Sequence, residues 1–116
     1  MIKKLFCQKT IQSCPEIVDK TREVMVQTNP TVIAAALLGM AQRHDATKSL
    51  GQINIPTAVI CGQFDSITPP SEMHSIAEAI PMAELFEISS AGHMAPLENP
   101  NEVNSAIRSL LDRVTA

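Results

Sequence analysis

Apolar and polar positions along the chain follow two different rhythms, and the change falls near residue 50. Up to Leu50 the rhythm is helical. Ser13, followed by Pro15 and Glu16, has the spacing of a capping box. It predicts a helix from Pro15 to Gln27 with Ile17, Val18, Thr21, Val24 and Met25 on one face. Asn29-Pro30 repeats the start signal, since Asn accepts from free amides and proline tolerates the first helical position. The second helix carries Val32, Ile33, Ala36, Leu37 and Met40 and is expected to end near His44. Lys48 to Asn54 reads as a short polar connection.

From Pro56 the pattern becomes that of a buried strand, Thr57 to Cys61, stopped by Gly62. Its unbroken apolarity predicts cover on both faces. After a loop over Gln63–Pro70, Met73, Ile76, Ala77 and Ile80 recur at helical spacing until Pro81 ends the run. A second strand is predicted over Glu84–Ile88, then a loop from Ser89 to Asn99. Asn99-Pro100, with Glu102 at the capping-box position, opens a last helix faced by Val103, Ala106, Ile107, Leu110, Leu111 and Val114. The order strand, helix, strand, helix makes the two strands parallel neighbours under the right-handed crossover rule. The fold class is α/β.

Composition narrows the functional classes. Hydrophobic residues make up 45% and charged residues 18% of 116 positions, which predicts a chain that buries a core. The formal charge is −3, without a basic cluster, so a face that tracks nucleic-acid phosphates is not expected. The apolar stretch after the N-terminal lysines, Leu5 to Cys7, is too short for a signal-peptide core. Val32 to Met40 is likewise too short for a membrane span, which takes about 20 residues. The expected location is cytoplasmic, with no membrane partner. Cys7, Cys14 and Cys61 have neither a C-x-x-C nor a metal-type spacing, so they are expected as reduced thiols.

The candidate chemistry lies in the two strand-end loops. Parallel strands open their following loops at one edge of the sheet, and those loops carry Asp65 and His93. Gly62 and Gly92 are expected to supply the backbone freedom that aims both side chains across the rim. A carboxylate on histidine Nδ1–H fixes one tautomer, leaving Nε2 to take a proton from a nucleophile and return it to a leaving group. Read alone, Asp65 serves equally well as a turn residue capping loop amides. Its pairing with His93 favours the acid-base reading.

Ile55-Pro56-Thr57, Gly62-Gln63-Phe64-Asp65, Thr68-Pro69-Pro70, Ile80-Pro81-x-Ala83, Ala91-Gly92-His93 and Leu97-Glu98-x-Pro100 follow one another in order and at suitable separations. From about Ile53 to the end, the chain resembles the carboxy-terminal part of the α/β-hydrolase family. The resemblance implies a partial α/β-hydrolase fold, with a cap-like helical segment over residues 1–50 and the carboxy-terminal part of the core over 51–116. Met40-Ala41-x-Arg43-x-Asp45 is similar to a cap-to-core passage of that family. The resemblance further implies Asp65 as triad acid, His93 as triad base, and a small-molecule ester or lactone as substrate, with no metal or organic cofactor. The cap and the Thr68-Pro69-Pro70 loop look most like the esterase and enol-lactonase branches.

One part of that pattern is missing. The family places its nucleophile on a G-x-S-x-G elbow beside the oxyanion-hole amides. Two positions after Gly39, Gly51, Gly62 and Gly92 stand Ala41, Ile53, Phe64 and Met94, so no such serine exists here. The chain is therefore expected to be inactive alone, either as a fragment or split half, or as a module that has lost the chemistry. Unpaired strand edges imply a homo-oligomer or a complementing chain. Cys7 and Cys14 lack an activating base nearby in sequence. His44 and His74 are expected to face solvent, and Glu98 to help open the last helix.

Overall fold

In the computed structural model, which describes residues 1–116, the N-terminal half is helical. Four helices, α1 (Ile2–Leu5), α2 (Gln8–Ser13), α3 (Pro15–Gln27) and α4 (Pro30–Gln42), precede a 3-10 turn over Thr47–Gln52. Then come β1 (Thr57–Gly62), α5 (Pro70–Ala79), β2 (Ala83–Ile88), the short α6 (Ala95–Glu98) and α7 (Pro100–Thr115). The proline-led starts hold at Pro15, Pro30 and Pro100, and Pro70, expected in the loop, also opens a helix, where a missing N–H costs nothing.

The caps differ in detail from the sequence reading. Ser13 closes α2, and Cys14, making no side-chain cap bond, is the residue before α3. Asn29 accepts from the Thr31 amide at 2.9 Å, and Asn99 from that of Glu102 at 3.3 Å. Glu102 does not return the bond as a capping box requires. Its carboxylate accepts from the Ser89 amide at 2.8 Å, tying the end of β2 to the start of α7. That bond leads the causes that hold the Glu102 carboxyl below its usual range. α1, α2 and α6, together with the turn over the expected polar connection, were not legible as elements. Each has six residues or fewer, too short to display a helical period.

β1 and β2 pair in parallel, from Thr57 opposite Ala83 to Gly62 opposite Ile88. Ile60, Phe86 and Ile88 pack with Ala91, Ala95 and Val103, so one sheet face meets α6 and the first turn of α7. By the two-residue period, Val59 and Cys61 point to the opposite face. Arg113, near the end of α7, donates to the Met82 carbonyl at 2.8 Å and pairs with Glu84 at 3.3 Å, closing that layer.

Coverage is incomplete. Every residue of α4 is exposed, with Leu37, Leu38 and Met40 at 56–60%, and Ile107, Leu111 and Val114 extend the apolar face of α7 into solvent. Thr57 and Gln63 direct their amides to β2, so the intervening Ala58, Ile60 and Gly62 present theirs to an open edge. The accessible surface, 8127 Å², exceeds by roughly 2,000 Å² that of a folded monomer of this mass. The radius of gyration, 16.0 Å, compares with about 13 Å for a closed domain of this length. This is a partial α/β fold with an uncovered side. No single helix is long and apolar enough to cross a membrane, and α3 and α4 reach that length only as a pair bent by 96°.

Candidate active site

The register of the sheet sets the site. Because Gly62 lies opposite Ile88, the two strands end level and their loops leave together. Two backbone bonds then lock the loops to each other: Gln63 N–H donates to the Ile88 carbonyl at 2.9 Å, and Phe64 N–H to that of Ala91 at 2.8 Å. The loops come so close that a Cβ on Gly62 would lie 2.6 Å from the Ala91 carbonyl oxygen and nearer still to that of Gly92. A Cβ on Gly92 would meet the Cys7 nitrogen at 2.8 Å. The expected reason for these glycines is thus corrected, since neither has positive φ and both are required by close approach. The residue that does turn left-handed is Ser90, at φ 54°.

Asp65 and His93, from the two loops, are brought together. The Asp65 side chain is buried, and both of its oxygens are used. Oδ1 accepts from the amides of Ile67 (2.8 Å) and Thr68 (3.0 Å), while Oδ2 accepts from the Thr68 hydroxyl (2.7 Å) and His93 Nδ1 (2.9 Å). The turn-capping role and the histidine-orienting role therefore belong to one carboxylate, one oxygen apiece. Burial pushes the Asp65 carboxyl up. The bonds from the Thr68 amide and hydroxyl, His93 and the Ile67 amide together outweigh it and hold the group below the usual carboxylate range.

With Nδ1–H committed to Asp65, the His93 ring is held in one tautomer and Nε2 is left free, on a side chain 35% exposed. Such a ring can accept a proton at Nε2 while Asp65 stabilises the resulting cation. The pair borders a cleft of about 400 Å³ with largely apolar walls, including Ile60, Val103 and Ile107. A larger hollow of about 550 Å³ beside Met40, Leu50 and Ile76 carries Arg43, His44 and Asp45 on its rim, but no ion pair. His44 and His74 are exposed, as expected from their positions, and His74 lies 3.8 Å from Glu87.

None of the cysteines is presented to this cleft as an activated thiolate. Cys61 borders it, but burial, then the Glu87 and Asp65 carboxylates, push its thiol up. Cys7 is buried and donates its thiol to the Ser90 carbonyl at 2.9 Å, while Cys14 sits between α2 and α3. No three His, Cys, Asp or Glu side chains converge as a metal cluster would require.

Two side chains take roles at the site that the sequence reading did not give them. Thr68 is a double donor to Asp65, and the spacing D-x-x-T after a strand-ending glycine is the local signal for it. Glu98 does not serve the opening of α7. It accepts from the amides of Cys7 (2.7 Å) and Gly92 (2.6 Å), and nothing local to Glu98 announces a partner 91 residues away.

Comparison with known proteins agrees with this architecture. Residues 7–100 match the family model of the α/β hydrolase fold. The chain is 42% identical to a thermophilic esterase from Thermogutta terrifontis, superposing with a TM-score of 0.96 over 100% of this chain and 43% of that one. It is 29% identical to 3-oxoadipate enol-lactonase 2 of Acinetobacter baylyi, over 89% of this chain and 38% of that protein. A pimeloyl-[acyl-carrier protein] methyl ester esterase of Xanthomonas oryzae is 31% identical over 61% of this chain and 28% of that enzyme. The chain thus spans less than half the length of these relatives. By fold, loop geometry and family match, this chain belongs to the α/β-hydrolase fold family.

Proposed function

We propose that the chain supplies the acid and base half of a serine-type hydrolase acting on a small-molecule ester or lactone. The observation that carries the reading is His93, held through Nδ1 at 2.9 Å by a buried Asp65 whose other bonds are saturated within its own loop, with Nε2 unbonded and the ring bordering an apolar-walled cleft. His93 is the general base for a nucleophile and the acid for the leaving alkoxide, and Asp65 orients it and stabilises its cation. The serine and the oxyanion-hole amides come from a segment or chain that covers the open β1 edge. The excess of roughly 2,000 Å² on this one chain is more than twice the about 800 Å² that each partner contributes to a standard protein–protein interface, which supports an extensive completing partner. Esterase and lactonase relatives favour acyl chemistry over the other reactions this fold hosts.

The test is hydrolysis of an activated short-chain ester by the purified 116-residue chain beside His93→Ala. No turnover above the variant is expected. The same chain fused to the portion of the Thermogutta terrifontis esterase outside the match is expected to hydrolyse the ester, and to lose that turnover with His93→Ala or Asp65→Ala. A well-folded fusion whose turnover ignores both substitutions would refute the roles given to these residues. Turnover by the chain alone would refute the need for a partner.

A further inference from the structure

His93 is held to Asp65 on one side, but what holds its backbone is less obvious. Both amides that flank it in sequence are committed to groups beyond its immediate neighbours. The Gly92 N–H donates to Glu98 Oε2 at 2.6 Å, and the Met94 N–H donates to the Leu5 carbonyl at 3.0 Å. Glu98 in turn uses Oε1 to accept from the Cys7 amide at 2.7 Å. The segment Leu5–Cys7 is thereby laid against the histidine loop, so closely that there is no room for a side chain on Gly92.

Only a carboxylate satisfies this arrangement. Two backbone donors arrive at the two oxygens of one group, and both bonds are charge-assisted and short. A glutamine of the same shape offers one acceptor oxygen, and its NH2 would face an amide N–H, leaving that donor unpaired. We propose that Glu98 is a positioning residue for His93. It clamps the Gly92 amide and the N-terminal segment at once, and so fixes the height of the imidazole over Asp65. The consequence is that the N-terminal segment and the proposed general base move as one body. Why that position matters rests on the hydrolase reading; the clamp itself does not.

The experiment reads the Asp65–His93 bond without requiring turnover. In the wild-type chain, the His93 Nδ1 proton and the amides of Cys7, Gly92, Ile67 and Thr68 are followed by NMR hydrogen exchange. Glu98→Gln is expected to speed exchange of the Nδ1 proton at least about tenfold, the equivalent of one charge-assisted bond lost, with the Ile67 and Thr68 amides unchanged. A general loss of structure would move all five protons together. Unchanged Nδ1 exchange in a folded Glu98→Gln chain overturns the proposal. If that variant does not fold, the wild-type chain decides. Equal protection of the Cys7, Gly92 and Nδ1 protons, each relative to its own intrinsic exchange rate, supports the clamp, and protection of Nδ1 far below that of Gly92 overturns it. Failure of the ester assay leaves this readout intact, so the two readings fail separately.

Discussion

Thr68→Val removes one hydroxyl from the site, a group that also lies 3.5 Å from His93 Nδ1. The replacement keeps the branched shape and the backbone amide, and so leaves the 3.0 Å bond to Asp65 Oδ1 in place. It removes the hydroxyl that donates to Oδ2 at 2.7 Å. Bonds to charged groups contribute about 1.5–3 kcal/mol each, and a buried carboxylate with one donor fewer carries the cost of that missing partner. The expected loss near neutral pH is therefore about 1.5–3 kcal/mol, measured by urea unfolding at a series of pH values. The sign follows from Asp65 lying below its unfolded value, which is about 3.9. Its contribution is complete above that pH and is lost as pH falls through the lower folded value. Losing a donor raises the folded value, so the gap between wild type and variant closes on acidification. A gap below about 0.5 kcal/mol at neutral pH, or one that does not change with pH, would refute the claim that the Thr68 hydroxyl holds the ionised Asp65.

Gly62→Ala is expected to cost about 3 kcal/mol or more in denaturant unfolding, because its Cβ meets backbone carbonyls that cannot rotate away. Gly39→Ala, with nothing within 4 Å and a helical position, should instead add up to about 1 kcal/mol; equal effects at the two sites would contradict the close-approach argument. The exposed faces of α4 and α7 are expected to make the isolated chain bind a hydrophobic dye and sediment as a concentration-dependent oligomer. A monomer at all concentrations, without dye binding, would count against an uncovered apolar surface on α4 and α7.

Periodicity and punctuation along the chain determined most of the second half. Proline-led helix starts, a short apolar run stopped by Gly62, a second strand predicted over Glu84–Ile88, and the crossover rule place Asp65 and His93 in sister loops, because these signals are local and act within a few residues. The absence of an elbow serine is also a property of the sequence itself. Tertiary structure decided what distance in sequence conceals. It showed Glu98 bridging Gly92 to Cys7, which lies 91 residues before Glu98 itself, and Glu102 turning from its own helix start to Ser89. It gave Gly62 and Gly92 a role in spacing, not in backbone torsion, since what a Cβ would strike belongs to another loop. Apolar patterns in α4 and α7 announce a buried face, but a helix cannot state what buries it. That depends on the mass packed against it, and here the side that those residues require stands open to solvent.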